Sequence, residues 1–184
     1  MVATTDADGG GRLPVDLAKT LDYDGVPTIF FSRQWSEAFK YSRPLARWLE
    51  SEVSEFDVVH VHAVFSHSSL AASRACRRHG VPYVVRPLGS LDPWSLSQKR
   101  LRKRLLWHLG VKQMLQGCSA IHYTTAAERC LTERALSLTN GTVVPLGVDA
   151  ELLNEPKTSE IFRARHPTIG QSPYVLVLCR LHPK

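Results

Sequence analysis

The chain has 184 residues, 43% of them hydrophobic and 22% charged, with a net charge of +6. That length and balance describe one globular domain, or one domain with a short overhang, and exclude a disordered or fibrous chain. No apolar run approaches the roughly 20 residues needed to cross a bilayer. Residues Met1 to Gly11 carry acids and glycines, without the basic and apolar regions of a secretory signal. Four cysteines, Cys76, Cys118, Cys130 and Cys179, show no paired spacing. They read as reduced, buried thiols in a cytosolic protein, with no zinc site and no disulfide framework.

In chain order, Asp6, Asp8 and Gly9 to Gly11 suggest a loop. Pro27 to Phe31 is a strand candidate, and Pro44 to Val53 a helix with Leu45, Ala46, Trp48 and Leu49 at helical spacing. Asp57 to His62 reads as a second strand, nearly apolar throughout, as a strand buried on both faces would be. Ser66 to His79 follows as a helix, with Ser66, Ser68 or Ser69 as cap, basic residues near its end and Gly80 closing it. Pro82 to Arg86 is the third strand, completing a βαβ unit.

Ser97 to Gly117 reads as one long amphipathic helix, with Leu101, Leu105 and Leu109 facing inward and Trp107 and Met114 slightly off that line. Ala120 to Thr125 is a fourth strand, Ala126 to Ala135 a helix and Gly141 to Pro145 a fifth strand. Ser159 to His166 is a short helix and Tyr174 to Arg180 a sixth strand. Strands alternating with helices predict an α/β fold: a Rossmann-like parallel sheet with flanking helices.

Open parallel sheets bind ligands beyond the carboxyl ends of their strands. Those ends carry His60 and His62, then Arg86, Gly89, Ser90 and Asp92, then Thr125 and Glu128, then Pro145 to Asp149. The alternating His60 and His62 point to one face; lacking a third ligand at a sensible spacing, they read as hydrogen-bonded residues, with no metal. His67 stands just past that strand, freer to meet a ligand. Asp92-Pro93 suits a helix start, and Gly89 and Gly147 suit tight turns that also expose N–H groups to phosphate. A basic cluster, Lys99, Arg100, Arg102, Lys103 and Arg104, fits phosphates, an anionic membrane surface or a solvated helix face. No stacking aromatics accompany it, so nucleic acid is not expected as a partner.

Taken together, Asp57 to His62, Gly80 to Trp94, Thr124 to Glu128, Val144 to Asp149 and Arg180 to Lys184 resemble the retaining family 4 glycosyltransferases, enzymes of two Rossmann-like domains (the GT-B fold). The subgroup most resembled assembles exopolysaccharides and surface glycans. The resemblance implies an acceptor-side domain over residues 1–149, and over 150–184 a crossover and the start of a donor-binding domain. It also implies a first strand and glycine-rich loop ahead of Met1, so the sequence reads as truncated at both ends. Arg180 matches the arginine that contacts the donor diphosphate. Leu88 stands where many relatives carry a histidine, and no catalytic residue is assigned.

The expected partners are a nucleotide-sugar donor, for the intact protein only, and a glycan or lipid-linked acceptor. No cofactor is expected. The expected location is cytoplasmic, with possible peripheral contact at the inner membrane face through Lys99 to Arg104. On this reading the chain is a transferase fragment, inactive alone. The alternatives are a non-catalytic acceptor- or partner-binding module and an unrelated small-ligand α/β protein.

Overall fold

The computed structural model describes residues 1–5, 11–35, 38–148, 150, 159–170 and 172–175. The chain divides into two compact units, residues 1–146 and 147–184.

The first unit holds two sheets. One has β1 (Val2–Thr4), β2 (Thr20–Tyr23) and β3 (Val26–Phe31), ordered β1-β3-β2, with β1 parallel and β2 antiparallel to β3. β1 and β2 were not anticipated: three or four residues are too few to show an alternating pattern. The other sheet, all parallel, is ordered β4-β5-β6-β7: β4 (Val59–His62), β5 (Tyr83–Arg86), β6 (Ala120–Tyr123) and β7 (Gly141–Val143). This is the expected Rossmann-like arrangement of parallel strands with flanking helices.

The helices begin where their sequences direct. In α1 (Arg43–Glu52), Ser42 accepts from the Leu45 N–H and Pro44 sits in the first turn, while Leu45 and Leu49 are buried. In α2 (His67–His79), Ser66 accepts from the Ser69 N–H; Arg77, Arg78 and His79 occupy the last turn. Gly80 closes α2 at φ 72°, left-handed backbone that favours glycine. The covered face of the parallel sheet carries Val61, Tyr83, Val85, Ile121 and Tyr123, packed in one core with Ala72, Ala75 and Cys76 of α2. Burying each such large apolar side chain contributes about 1.5–3 kcal/mol.

The long helix expected over residues 97–117 is not one helix. Its path is α3 (Pro93–Ser97), α4 (Arg100–Leu106), a π-helical turn (Trp107–Val111) and α5 (Lys112–Gly117). Lys99 adopts φ 50° between α3 and α4, and the chain kinks at Gly110. The inward face differs accordingly. Leu106, Val111, Met114 and Leu115 are buried, whereas Leu101, Leu105 and Leu109 are 84%, 59% and 61% exposed. From Leu106 to Val111 the step is five residues, the hydrogen-bond spacing of a π turn, after which α-helical spacing resumes. Gly110 permits this kinked segment to meet α2, since a Cβ there would lie 3.1 Å from Leu70 Cδ2.

After β6 comes α6 (Ala126–Leu136), capped by Thr125. Of the cysteines, Cys76 and Cys118 are buried but Cys130 is exposed, on the outer side of α6, contrary to the expectation of burial. The second unit contains α7 (Ser159–Arg165) and a 3-10 turn (Pro167–Ile169). Phe162 packs on Tyr174, and Arg163 lies over the Tyr174 ring. The expected Tyr174 to Arg180 strand lies beyond Val175 outside the described residues, as do Asp6 to Gly10, Asp149, Cys179 and Lys184.

Candidate functional site

The loops after β4, β5 and β6 form the site's frame. Immediately past β4, Ala63 adopts φ 67°, and its N–H donates to the Arg86 carbonyl at 2.9 Å. Past β5, Leu88 and Gly89 adopt φ 57° and 70°. Ala63 and Leu88 thus place non-glycine residues in left-handed backbone at adjoining strand ends. Each costs about 1–3 kcal/mol, and such conformations gather at ligand sites. The Ser90 hydroxyl donates to Pro87 O at 2.6 Å, fixing the turn, and Leu91 is fully buried beneath it. Asp92 caps α3 by accepting from the Ser95 N–H at 2.8 Å.

Glu128 joins two of these loops. Its Oε1 accepts from the Gly89 N–H at 2.9 Å, and its Oε2 accepts from the Thr124 N–H and hydroxyl, both at 3.0 Å. The Thr125 hydroxyl accepts in turn from the Glu128 N–H at 3.0 Å, the N-cap bond of a Thr-x-x-Glu start. Glu128 is therefore a clamp between the β5 and β6 loops. The Gly89 N–H, expected from the sequence to be open to phosphate, is already donated to this carboxylate.

On the uncovered face of the sheet lies a row of basic side chains. His62 is opposite Arg86 in the register, and one residue beyond the Val85–Ile121 pair places Arg86 opposite His122. The rings of His60 and His62 are 4.6 Å apart and those of His60 and His122 stack at 5.3 Å. His122 Nε2 meets the Val144 carbonyl at 2.8 Å, so it must carry the proton. His122 Nδ1 then faces His60 Nε2, 3.3 Å away, placed to accept its N–H.

Desolvation, then the neighbouring His62, His122 and Arg86, push the His60 pKa below 6.5. Desolvation, then Arg86 and His122, lower that of His62. Both rings are thereby held neutral beside the Arg86 cation. The Arg86 Nε–H is buried without a partner among the described residues. A buried orphan donor beside neutral imidazoles suits the oxygen of an incoming polar or anionic group.

Elsewhere, His67 is held rather than free. Its Nδ1 accepts from the Ser42 N–H at 3.3 Å, and its ring packs on Tyr41 at 4.4 Å. Desolvation, then Arg74, lowers its pKa. Lys103 is also engaged: Nζ bonds Ser95 O and, at 3.1 Å, Ser95 Oγ, and lies 5.0 Å from the Phe65 ring centre. Lys99, Arg100 and Arg104 are exposed beside the outward Leu101, Leu105 and Leu109. His122 was not among the sequence candidates. The available signal was its place on the strand after the Arg86 strand, which register alone turns into a neighbour. Arg180, the donor-phosphate candidate, lies outside the described residues.

Among the described residues, no group of three or more His, Cys, Asp or Glu side chains is placed to hold a metal. Nor is any described helix long and apolar enough to cross a membrane. No curated protein and no solved structure matches the chain. Compared with known protein families, residues 1–147 match the glycosyl transferase 4-like domain, a span that takes in both sheets and every loop of the site. The chain belongs to the glycosyl transferase 4-like family, and its business is glycosyl transfer.

Proposed function

We propose that residues 1–149 are the acceptor-side domain of a retaining, two-domain glycosyltransferase that builds exopolysaccharide or surface glycan. The nucleotide-sugar donor is held mainly by a second domain, of which residues 150–184 are the beginning and Arg180 a diphosphate contact. The observation that carries the reading is the convergence of His60, His62 and Arg86 with the Gly89–Ser90 and Thr125–Glu128 loops at one end of a family-matched sheet. In this role Arg86 and the histidines bind acceptor hydroxyl or phosphate oxygens. Ser90, Asp92, Thr125 and Glu128 hold the loops, and His67 holds the entry to α2.

The same chain contacts an anionic membrane surface at the cytoplasmic face. Outward Leu101 and Leu105 on α4, with exposed Leu109 in the π turn beyond and Arg100 and Arg104 beside them, offer an apolar and basic surface of the kind that lies in a membrane interface. Each basic residue near such a surface contributes about 1 kcal/mol. On this reading residues 1–149 bind the acceptor. NMR titration of the chain tests this: glycan or lipid-linked acceptors shift the His62, Arg86 and Ser90 resonances while nucleotide sugars leave them unmoved. Shifts confined to other surfaces would overturn the assignment.

A further inference from the structure

Among the described residues, the row of basic side chains on the uncovered sheet face has no acidic member. β4 supplies His60 and His62, β5 supplies Arg86 and β6 supplies His122, while β7 places Thr142 opposite His122 and adds no ionisable group. The charges that act on His60 are those of His62, His122 and Arg86; those that act on His62 are Arg86 and His122. Carboxylates of the adjoining loops are engaged elsewhere. Glu128 accepts from Gly89 and Thr124, and Asp92 accepts from the Ser95 N–H.

Arg86 brings a permanent positive charge to this row, and its Nε–H is buried without a partner among the described residues. A neutral hydroxyl can meet that N–H but leaves the charge uncompensated, and a partly desolvated cation without a counter-charge is costly. A metal ion would add like charge beside the guanidinium. An oxyanion answers both needs, because its oxygens accept and its charge is opposite.

The histidines add a second observation. Burial, and then the neighbouring basic groups, hold the His60 and His62 pKa values below 6.5. With Nε2 turned to His122 at 3.3 Å, His60 has Nδ1 left for a ligand. As a lone pair Nδ1 repels an anion; once protonated it donates to one. The ring of His62 lies 4.6 Å from that of His60, opposite Arg86 in the register, and adds to the same charge when protonated. An anion seated in the row reverses the electrostatic part of the shift, so the occupied site binds more protons than the empty one.

We propose, resting on the acceptor-side reading above, that the acceptor received by this row is an oxyanion of the phosphate class, and that seating it protonates the His60–His62 pair. Acceptor affinity then rises as pH falls. Only the occupied site is protonated at pH values between the free and the bound pKa, and there affinity gains about tenfold per pH unit for each proton taken up.

Calorimetric and NMR titrations of the chain test this with sulfate, which keeps both charges between pH 5.5 and 7.5, hexyl diphosphate, neutral hexyl glucoside and UDP. Sulfate and hexyl diphosphate are expected to shift the His60, His62 and Arg86 resonances. Sulfate should bind at least about tenfold more tightly at pH 5.5 than at pH 7.5. Buffers of different ionisation enthalpy count the protons taken up, and the His60 and His62 ring resonances of the wild-type chain follow the protonation directly. His60→Gln/His62→Gln should bind sulfate without that pH dependence, and Arg86→Ala should weaken sulfate at both pH values. Sulfate affinity that is independent of pH, or equally pH-dependent in the histidine variant, overturns the inference. Glucoside binding at these residues while both anions leave them unmoved overturns it and leaves the acceptor-side reading standing. Silence from glucoside and anions alike overturns both. UDP binding here as tightly as hexyl diphosphate also overturns it, in favour of the donor's diphosphate.

Discussion

Replacing Glu128 with alanine tests the idea that one carboxylate fixes the loops at the site. Glu128→Ala removes the acceptor for the Gly89 and Thr124 amides and for the Thr124 hydroxyl. An orphaned buried donor costs about 1–3 kcal/mol. These amides are only partly buried, so the low end applies, about 1 kcal/mol each, while the hydroxyl turns to water. Loss of an acidic group from the first turn of α6 adds about 0.3–1 kcal/mol. The total of about 2–3 kcal/mol lowers Tm by about 5–10 °C for a domain of this size. Glu128→Gln, which keeps one acceptor oxygen, should lose about half as much. Thermal unfolding followed by circular dichroism measures both, and amide exchange at Gly89 and Thr124 reports the site directly. An alanine variant within 1 °C of wild type, with the Gly89 amide still protected, would refute the clamp.

Further outcomes follow from the same geometry. Gly141→Ala places a Cβ 2.2 Å from Glu133 Oε1 and 2.5 Å from Tyr123 Cε2; urea unfolding should show about 1–3 kcal/mol lost to overpacking. His60, His62 and His67 have folded pKa values below the unfolded 6.5. The unfolded chain therefore binds more protons below pH 6.5, and stability present above it is lost as pH falls towards the folded values. Tm measured from pH 7.5 to 5.5 should fall, and fall less in His60→Gln/His62→Gln; a flat profile contradicts the burial argument. Cys130 should react readily with iodoacetamide, while Cys76, buried and pushed up to about 11, stays unlabelled in peptide maps of the folded chain. Sedimentation with anionic vesicles should weaken in both Leu101→Ser/Leu105→Ser and Arg100→Glu/Arg104→Glu; unchanged binding in both discards the membrane contact.

The βαβ unit from β4 to β5 was legible in the sequence because its signals agree. Ser66 caps, Gly80 terminates, and β-branched runs flank an alanine-rich helix. The segment from Ser97 to Gly117 was misread for a physical reason. Its leucines keep a regular four-residue spacing, but the break at Lys99 and the π turn rotate the register, so the core is built from Leu106, Val111, Met114 and Leu115. The site was only partly legible. Periodicity put His60 and His62 on one face, but the Arg86–His122 neighbourhood depends on strand register, and the engagement of the Gly89 amide on a glutamate 39 residues away. Neither leaves a local mark.

Sugar transfer tests the central claim most directly. Radiolabelled nucleotide sugars are offered with membrane lipid and glycan acceptors, and wild type is compared with Arg86→Ala. The account predicts incorporation into the acceptor fraction and a loss of at least about tenfold in kcat/KM for the variant, equivalent to about 1.4 kcal/mol of transition-state stabilisation, with its Tm essentially unchanged. Transfer that is indifferent to Arg86→Ala, or no transfer from any donor, would contradict it.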